Sequence, residues 1–199
     1  MEYIIIIISA VFVNNILLAQ FLGVCPFFGA SNKVETAVGM AGAVTFVMTA
    51  STLITWLLYS FVLAPLNIQF MQTVSFILVI AALVQLVEII LKKISPSLYR
   101  ALGIFLPLMA TNCAVVGVSI LVVTKEFSFG GAAHMLNLTE TIVFAVANAL
   151  GFGLALIIFA GMREQLELSN IPKAFKGIPI ALVTAGILAL AFMGFAGIV

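Results

Sequence analysis

The chain has 199 residues, 64% of them hydrophobic and only 8% charged, and its eight Lys and Arg face seven acidic residues, all glutamate. A soluble domain is about a quarter charged, so the solvent of this chain is lipid. The near-neutral balance leaves no basic patch for a phosphate backbone, which excludes nucleic acid. No Gly-rich loop follows a strand to seat a flavin, NADH or ATP on this chain alone.

A membrane-crossing helix needs about 20 apolar residues. The hydropathy pattern predicts six, over 3–24, 37–62, 73–91, 101–123, 138–162 and 175–198. Little chain remains outside them, so residues 1–199 read as one transmembrane domain. The first span is too long, and too directly followed by others, for a cleaved leader.

Span one carries Asn14 and Asn15 and runs into "QFLGVCPFFG", where Pro26 between Gly23 and Gly29 is expected to break the helix. Span two opens on "VETAV", with Glu35 at a helix N-terminus, and Trp56 further on reads as an interfacial anchor. Span three holds Glu88 in "LVQLVEIILKK". An intramembrane carboxylate marks an ion path by default, and the plainer reading is an i, i+4 pair with Lys92. Span four has a second island, "IFLPLMATNCAVVG", where Pro107, Thr111, Asn112 and Gly117 predict another break. The loop "SFGGAAHMLN" puts His134 in solvent, and span five opens on "TETIV" with Glu140. After it, "REQLELSNIPKAFKG" predicts a short surface helix and a Pro-terminated turn before span six.

Lys33, Lys92, Lys93, Arg100, Arg163, Lys173 and Lys176 follow spans one, three and five, and the other side has only Lys125. The positive-inside rule therefore puts those loops in the cytoplasm and both termini outside. Three spans per half make any repeat an inverted one, divided near 1–99 and 100–199. "VETAV" and "TETIV" correspond, as do "LVIAALV" and "LVTAGIL", and Gly29 and Gly117 each lie four residues after a cysteine. Inverted repeats place their sites near the midplane, where discontinuous helices meet.

Cys25 and Cys113, the two cysteines of the chain, sit one in each island. At 1.5 Å per residue, Cys113 lies roughly 20 Å below Arg100 and Cys25 roughly 12 Å below Lys33. Three readings of the pair stand. Cysteine packs like a small hydrophobe; a disulfide would staple span one to span four; thiolates also bind iron. A [2Fe–2S] cluster needs four ligands, so the metal reading requires a second protein chain with its own pair. The spacing is nothing like a CxxC motif.

At these islands, "VNNILLAQFLGVCPFFGASNKVETAVGM", "SPSLYRALGIFLPLMATNCAVVGV" and "LVTAGILALAFMGFAG" closely resemble a family of membrane subunits. It includes the A-type subunit of the Rnf electron-transport complex and the E-type subunit of the sodium-pumping NADH:quinone reductase. The likeness covers essentially the whole chain. Pro26 after Cys25 and the terminal "FMGFAG" are nearer the Rnf member. The resemblance implies an all-α, six-helix protein with an inverted repeat, paired with a homologous sister (the E-type Rnf subunit) in a cell or inner membrane. It also implies that two cysteines from each of the two sisters hold one intramembrane [2Fe–2S] cluster, which makes Cys25 and Cys113 two of its four ligands. The B, C, D and G components of Rnf, with their flavins and iron–sulfur clusters, would be further partners. The reaction would pass electrons from reduced ferredoxin to NAD⁺ and export Na⁺ or H⁺, with no catalytic residue and no stand-alone activity on this chain.

On that reading, Gly23, Gly29 and Gly117 let backbone N–H groups approach cluster sulfur, unless they serve only helix packing. Asn14, Asn15, Thr111 and Asn112 would line an ion path or cap the broken helices. A secondary transporter with inverted repeats predicts dispensable thiols, and a scaffold role predicts electron transfer without Cys25.

Overall fold

The structure, a computed structural model, describes residues 6–31, 33–66, 69–94, 112–124, 127–129, 132–134, 137–169, 172 and 176–194. Its helices are α1 (Val24–Ala30), α2 (Val34–Leu58), α3 (Gln72–Ile94), α4 (Cys113–Thr124), α5 (Leu138–Glu167) and α6 (Ile178–Met193). Residues 6–13 form a helical lead-in ending in the π turn Ser9–Val13, and a second π turn, Tyr59–Leu63, prolongs α2.

Among the described residues, three helical stretches are long and apolar enough to cross a membrane: Val34–Leu63, Gln72–Ile90 and Leu138–Glu167. These match predicted spans two, three and five. α4 and α6 are shorter apolar helices within predicted spans four and six. Residues 101–111, including Pro107 and Thr111, lie outside the described residues.

Two sequence expectations change. The "REQLE" segment does not start a separate surface helix, because α5 runs on through Arg163 to Glu167 before a turn at Leu168. Nothing in that stretch stops a helix, since Arg, Glu, Gln and Leu are all good helix formers. The loop before span five contains a short antiparallel hairpin, Phe127–Phe129 with Ala132–His134.

The core is the packing of α2 on α5. Ala37, Met40, Val44 and Met48 are buried from one side, and Ala149, Phe152, Ala155 and Phe159 from the other. A Cβ at Gly153 would stand 3.1 Å from the Ala41 Cβ, so the two backbones approach as membrane helices do over small residues. Four threonine hydroxyls of α2 are satisfied within the helix, while the buried Ser51 Oγ has no hydrogen-bond partner among the described residues. Thr45, Thr49, Thr52 and Thr55 each donate to the carbonyl four residues back, at 2.7–2.8 Å, where lipid offers no partner. Glu140 accepts from the Asn137 N–H at 2.9 Å and helps cap α5. α3 and α6 flank this core and turn Leu78, Leu86, Leu182 and Leu190 outward, which in lipid carries no burial deficit.

Candidate metal centre at the paired helix starts

Span one breaks, but Pro26 is not the cause. The helical lead-in ends at Val13, and residues 14–23 run irregularly, with Phe21 at φ 54° and Gly23 at φ 86°. Pro26 is the third residue of α1, where its missing N–H has no helical partner to lose. Proline therefore starts the second piece of this span.

Asn15 holds the irregular segment in place. Its Nδ2 donates to the Val11 carbonyl at 3.0 Å and to the Gly151 carbonyl on α5 at 2.9 Å. Its Oδ1 accepts from Leu17 N–H at 3.1 Å. Both ends of the buried amide are thus engaged with backbone. Asn14 is the exposed neighbour and donates to Ser9 Oγ at 3.2 Å. Asn112 caps α4, its Oδ1 accepting from Ala114 N–H at 3.0 Å, while its buried Nδ2 has no hydrogen-bond partner.

These devices bring the two islands together. Gly23 N–H donates to Cys113 Sγ at 3.0 Å, across 90 positions of sequence. Cys25 follows Gly23 by two residues, so its Cα is within about 7 Å of the Gly23 Cα. Cys25 is the second residue of α1 and Cys113 the first of α4. Both are free, exposed thiols. Each therefore stands in the first turn of a helix, at the positive end of its dipole.

Gly23 is what this approach requires. Its left-handed φ is one that L side chains rarely adopt, and a Cβ there would lie 2.7 Å from Phe152 Cε2 and 3.0 Å from Ala114 Cβ. At Gly117 a Cβ would lie 2.7 Å from Leu22 Cδ1, so this glycine lets the irregular segment lie against α4. Gly29 sits half-buried inside α1.

The far end of α1 is held by residues that sequence reasoning missed. Arg163 Nη1, on α5, donates to the Phe28 carbonyl and to Ser31 Oγ, both at 2.9 Å. A cation at a helix C-terminus also suits the dipole there. In the sequence Arg163 was only one of the positive loop charges. Phe27 stacks on Phe159 at 4.2 Å between centroids, and Phe28 meets the same ring edge-on at 5.7 Å. No short-range motif pairs residues 28 and 163.

Glu88 stands apart from this site. It is half-buried on α3, six residues before the helix end at Ile94, roughly 9 Å in. Among the described residues, the other helical glutamates (Glu35, Glu140, Glu164 and Glu167) all lie in a first or last turn.

Among the described residues no three His, Cys or acidic side chains gather as a complete metal site. What the chain offers is two exposed thiols on segments joined by the Gly23 N–H to Cys113 Sγ bond. That donor set suits a soft metal and is half of what an iron–sulfur cluster needs.

Comparison with known proteins agrees along the whole chain. Residues 3–199 match the family described as "Rnf-Nqr subunit, membrane protein". The A-type subunit of the Na(+)-translocating ferredoxin:NAD(+) oxidoreductase complex of Acetobacterium woodii is 55% identical, over 99% of this chain and 98% of its own. The A-type subunit of the ion-translocating oxidoreductase complex of Syntrophotalea carbinolica is 56% identical, over 98% and 96%. Its namesake in Hahella chejuensis is 50% identical, over 100% and 98%. With two exposed thiols at paired helix starts and a match from residue 3 to the last, the chain belongs to the Rnf-Nqr family of membrane subunits.

Proposed function

We propose that this chain is the A-type membrane subunit of an Rnf complex, which couples electron transfer between reduced ferredoxin and NAD⁺ to translocation of Na⁺ or H⁺. Within it, the chain contributes half of an electron relay inside the membrane. The observation that carries the reading is the 3.0 Å bond from Gly23 N–H to Cys113 Sγ, two residues from Cys25. The relatives named above are subunits of ion-translocating oxidoreductases, which supports the complex. The resemblance supplies the group: a [2Fe–2S] cluster shared with the homologous sister, the E-type Rnf subunit. Two thiols here and two there give four ligands, so the cluster belongs at the interface between the sisters.

When bound, the cluster supplies a one-electron stepping stone across roughly 30 Å of hydrocarbon. Cys25 and Cys113 bind iron. Gly23 N–H holds a ligating sulfur and favours its negative charge. Asn15, Phe159 and Arg163 fix the two ends of the segment that carries Cys25, so the thiols keep their separation. The remaining features follow the same reading. The chain crosses the cell or inner membrane six times as two inverted three-helix repeats, with both termini outside. The B, C, D and G components of Rnf supply the flanking flavins and clusters. Glu88 and the polar residues Asn14, Thr111 and Asn112 border the ion route.

The test is iron content and reduced-state EPR of the purified complex, wild type beside Cys25→Ser and Cys113→Ser. A [2Fe–2S] signal lost in both variants, with the sister subunit still bound, is the expected result. Survival of the signal and of electron transfer in either variant would overturn the shared cluster and favour a transporter or scaffold.

A further inference from the structure

Two cavities meet where α5 ends and α6 begins. The first, about 260 Å³, is lined by Arg163, Glu167, Ser169, Lys176, Gly177 and Ile180. The second, about 730 Å³, runs between the two helices past Gly161, Met162, Thr184, Ile187 and Ala191. Leu166 and Ser169 line both, so the two adjoin at the C-terminal end of α5. One end is polar and the other mostly apolar.

The polar end carries two cations against one carboxylate. Both bonds that Arg163 makes within the fold leave from Nη1, and guanidinium has donors beyond that nitrogen. Lys176 is exposed. The N-terminus of α6 also opens here, at an N-cap glycine with no side chain to cover it; Pro179 in the first turn removes one N–H, and the remaining N–H groups and the helix dipole favour an anion. The apolar end lies along helices whose outer faces, such as Ile187 and Leu190, are bare of protein. Its volume is in the range that accommodates a drug-sized molecule, and an apolar groove open to the bilayer fills with lipid.

We propose that these adjoining cavities together bind one anionic glycerophospholipid, its phosphate between Arg163, Lys176 and the start of α6, and an acyl chain along the α5–α6 groove. Charge complementarity chooses the headgroup, and the mostly apolar lining chooses the tail. The site shares Arg163 with the segment that carries Cys25 but does not rest on the electron relay; only the leaflet it faces rests on the orientation proposed above.

The test uses the purified complex and two variants. A Cβ at Gly161 meets nothing within 4 Å, so Gly161→Leu fills the groove without displacing backbone. Lys176→Gln removes a headgroup contact outside the thiol site. Retained phospholipid is measured by extraction, and thermal unfolding is followed with added phosphatidylglycerol, phosphatidylcholine or inorganic phosphate. Wild type should retain phospholipid and be protected best by phosphatidylglycerol. Lys176→Gln should lose about fivefold in preference for the anionic lipid, the worth of one basic contact near a membrane surface. Gly161→Leu should unfold as wild type does in phosphatidylcholine but retain no phospholipid at this site. The proposal fails if Gly161→Leu keeps the wild-type complement, or if both lipids protect equally. It fails too if inorganic phosphate protects as well as phosphatidylglycerol, since the site then reads phosphate without a tail.

Discussion

Replacing Gly23 by alanine tests the geometry of the thiol pair most directly. The backbone there is left-handed at φ 86°, which disfavours an L residue by about 1–2 kcal/mol. The new methyl would lie 2.7 Å from Phe152 Cε2 and 3.0 Å from Ala114 Cβ. Phe152 is fully buried and cannot swing away, so overpacking adds about 1–3 kcal/mol. The sum, about 2–5 kcal/mol, acts on the segment that presents Cys25 to Cys113. Gly23→Ala is therefore expected to lower the thermal stability of the purified complex and to reduce its iron and EPR signal. Gly42→Ala serves as control: its Cβ has open space and an ordinary helical backbone, so it should be neutral or more stable by up to about 1 kcal/mol. Adding Phe152→Leu to Gly23→Ala should relieve the clash, with a favourable coupling of about 0.5–3 kcal/mol in a double-mutant cycle. If Gly23→Ala melts with wild type and holds the same iron, the close approach described here is wrong.

Asn15→Leu leaves the buried Gly151 carbonyl without its side-chain donor and should destabilise by about 1–3 kcal/mol, read as a lower melting temperature. Arg163→Gln loses two charge-assisted bonds to the end of α1, each worth about 1.5–3 kcal/mol before solvent screening; iron retention should fall, with Arg163→Lys intermediate, and equal retention in all three would remove Arg163 from this role. Phe159→Ala should cost about 3–5 kcal/mol by opening a cavity beneath Phe27 and Phe28, measured by thermal unfolding of the complex. Glu88→Gln should leave the EPR signal intact while slowing ion uptake into vesicles; unchanged uptake would take Glu88 off the ion route.

Local features of the chain settle its solvent, most of its helix positions and the pair of islands that hold the thiols. Hydropathy over about 20 residues is a local property, so Val34–Leu63, Gln72–Ile90 and Leu138–Glu167 were legible from composition alone. Family membership was equally legible, because motifs around Cys25 and Cys113 are contiguous in the chain. How the islands meet was visible only in three dimensions. The break of span one lies at residues 14–23 instead of at Pro26, because the segment takes positive φ at Phe21 and Gly23, and Gly23 lies against Ala114 of α4 and Phe152 of α5. Asn15 read as a helix cap ahead of an ion ligand, but which backbone group it holds was visible only when its amide met Gly151, 136 positions away. Arg163 was a loop charge until it reached Phe28 and Ser31. Each of these contacts joins distant segments, and no periodicity or spacing along one chain encodes which distant backbone group a side chain will find.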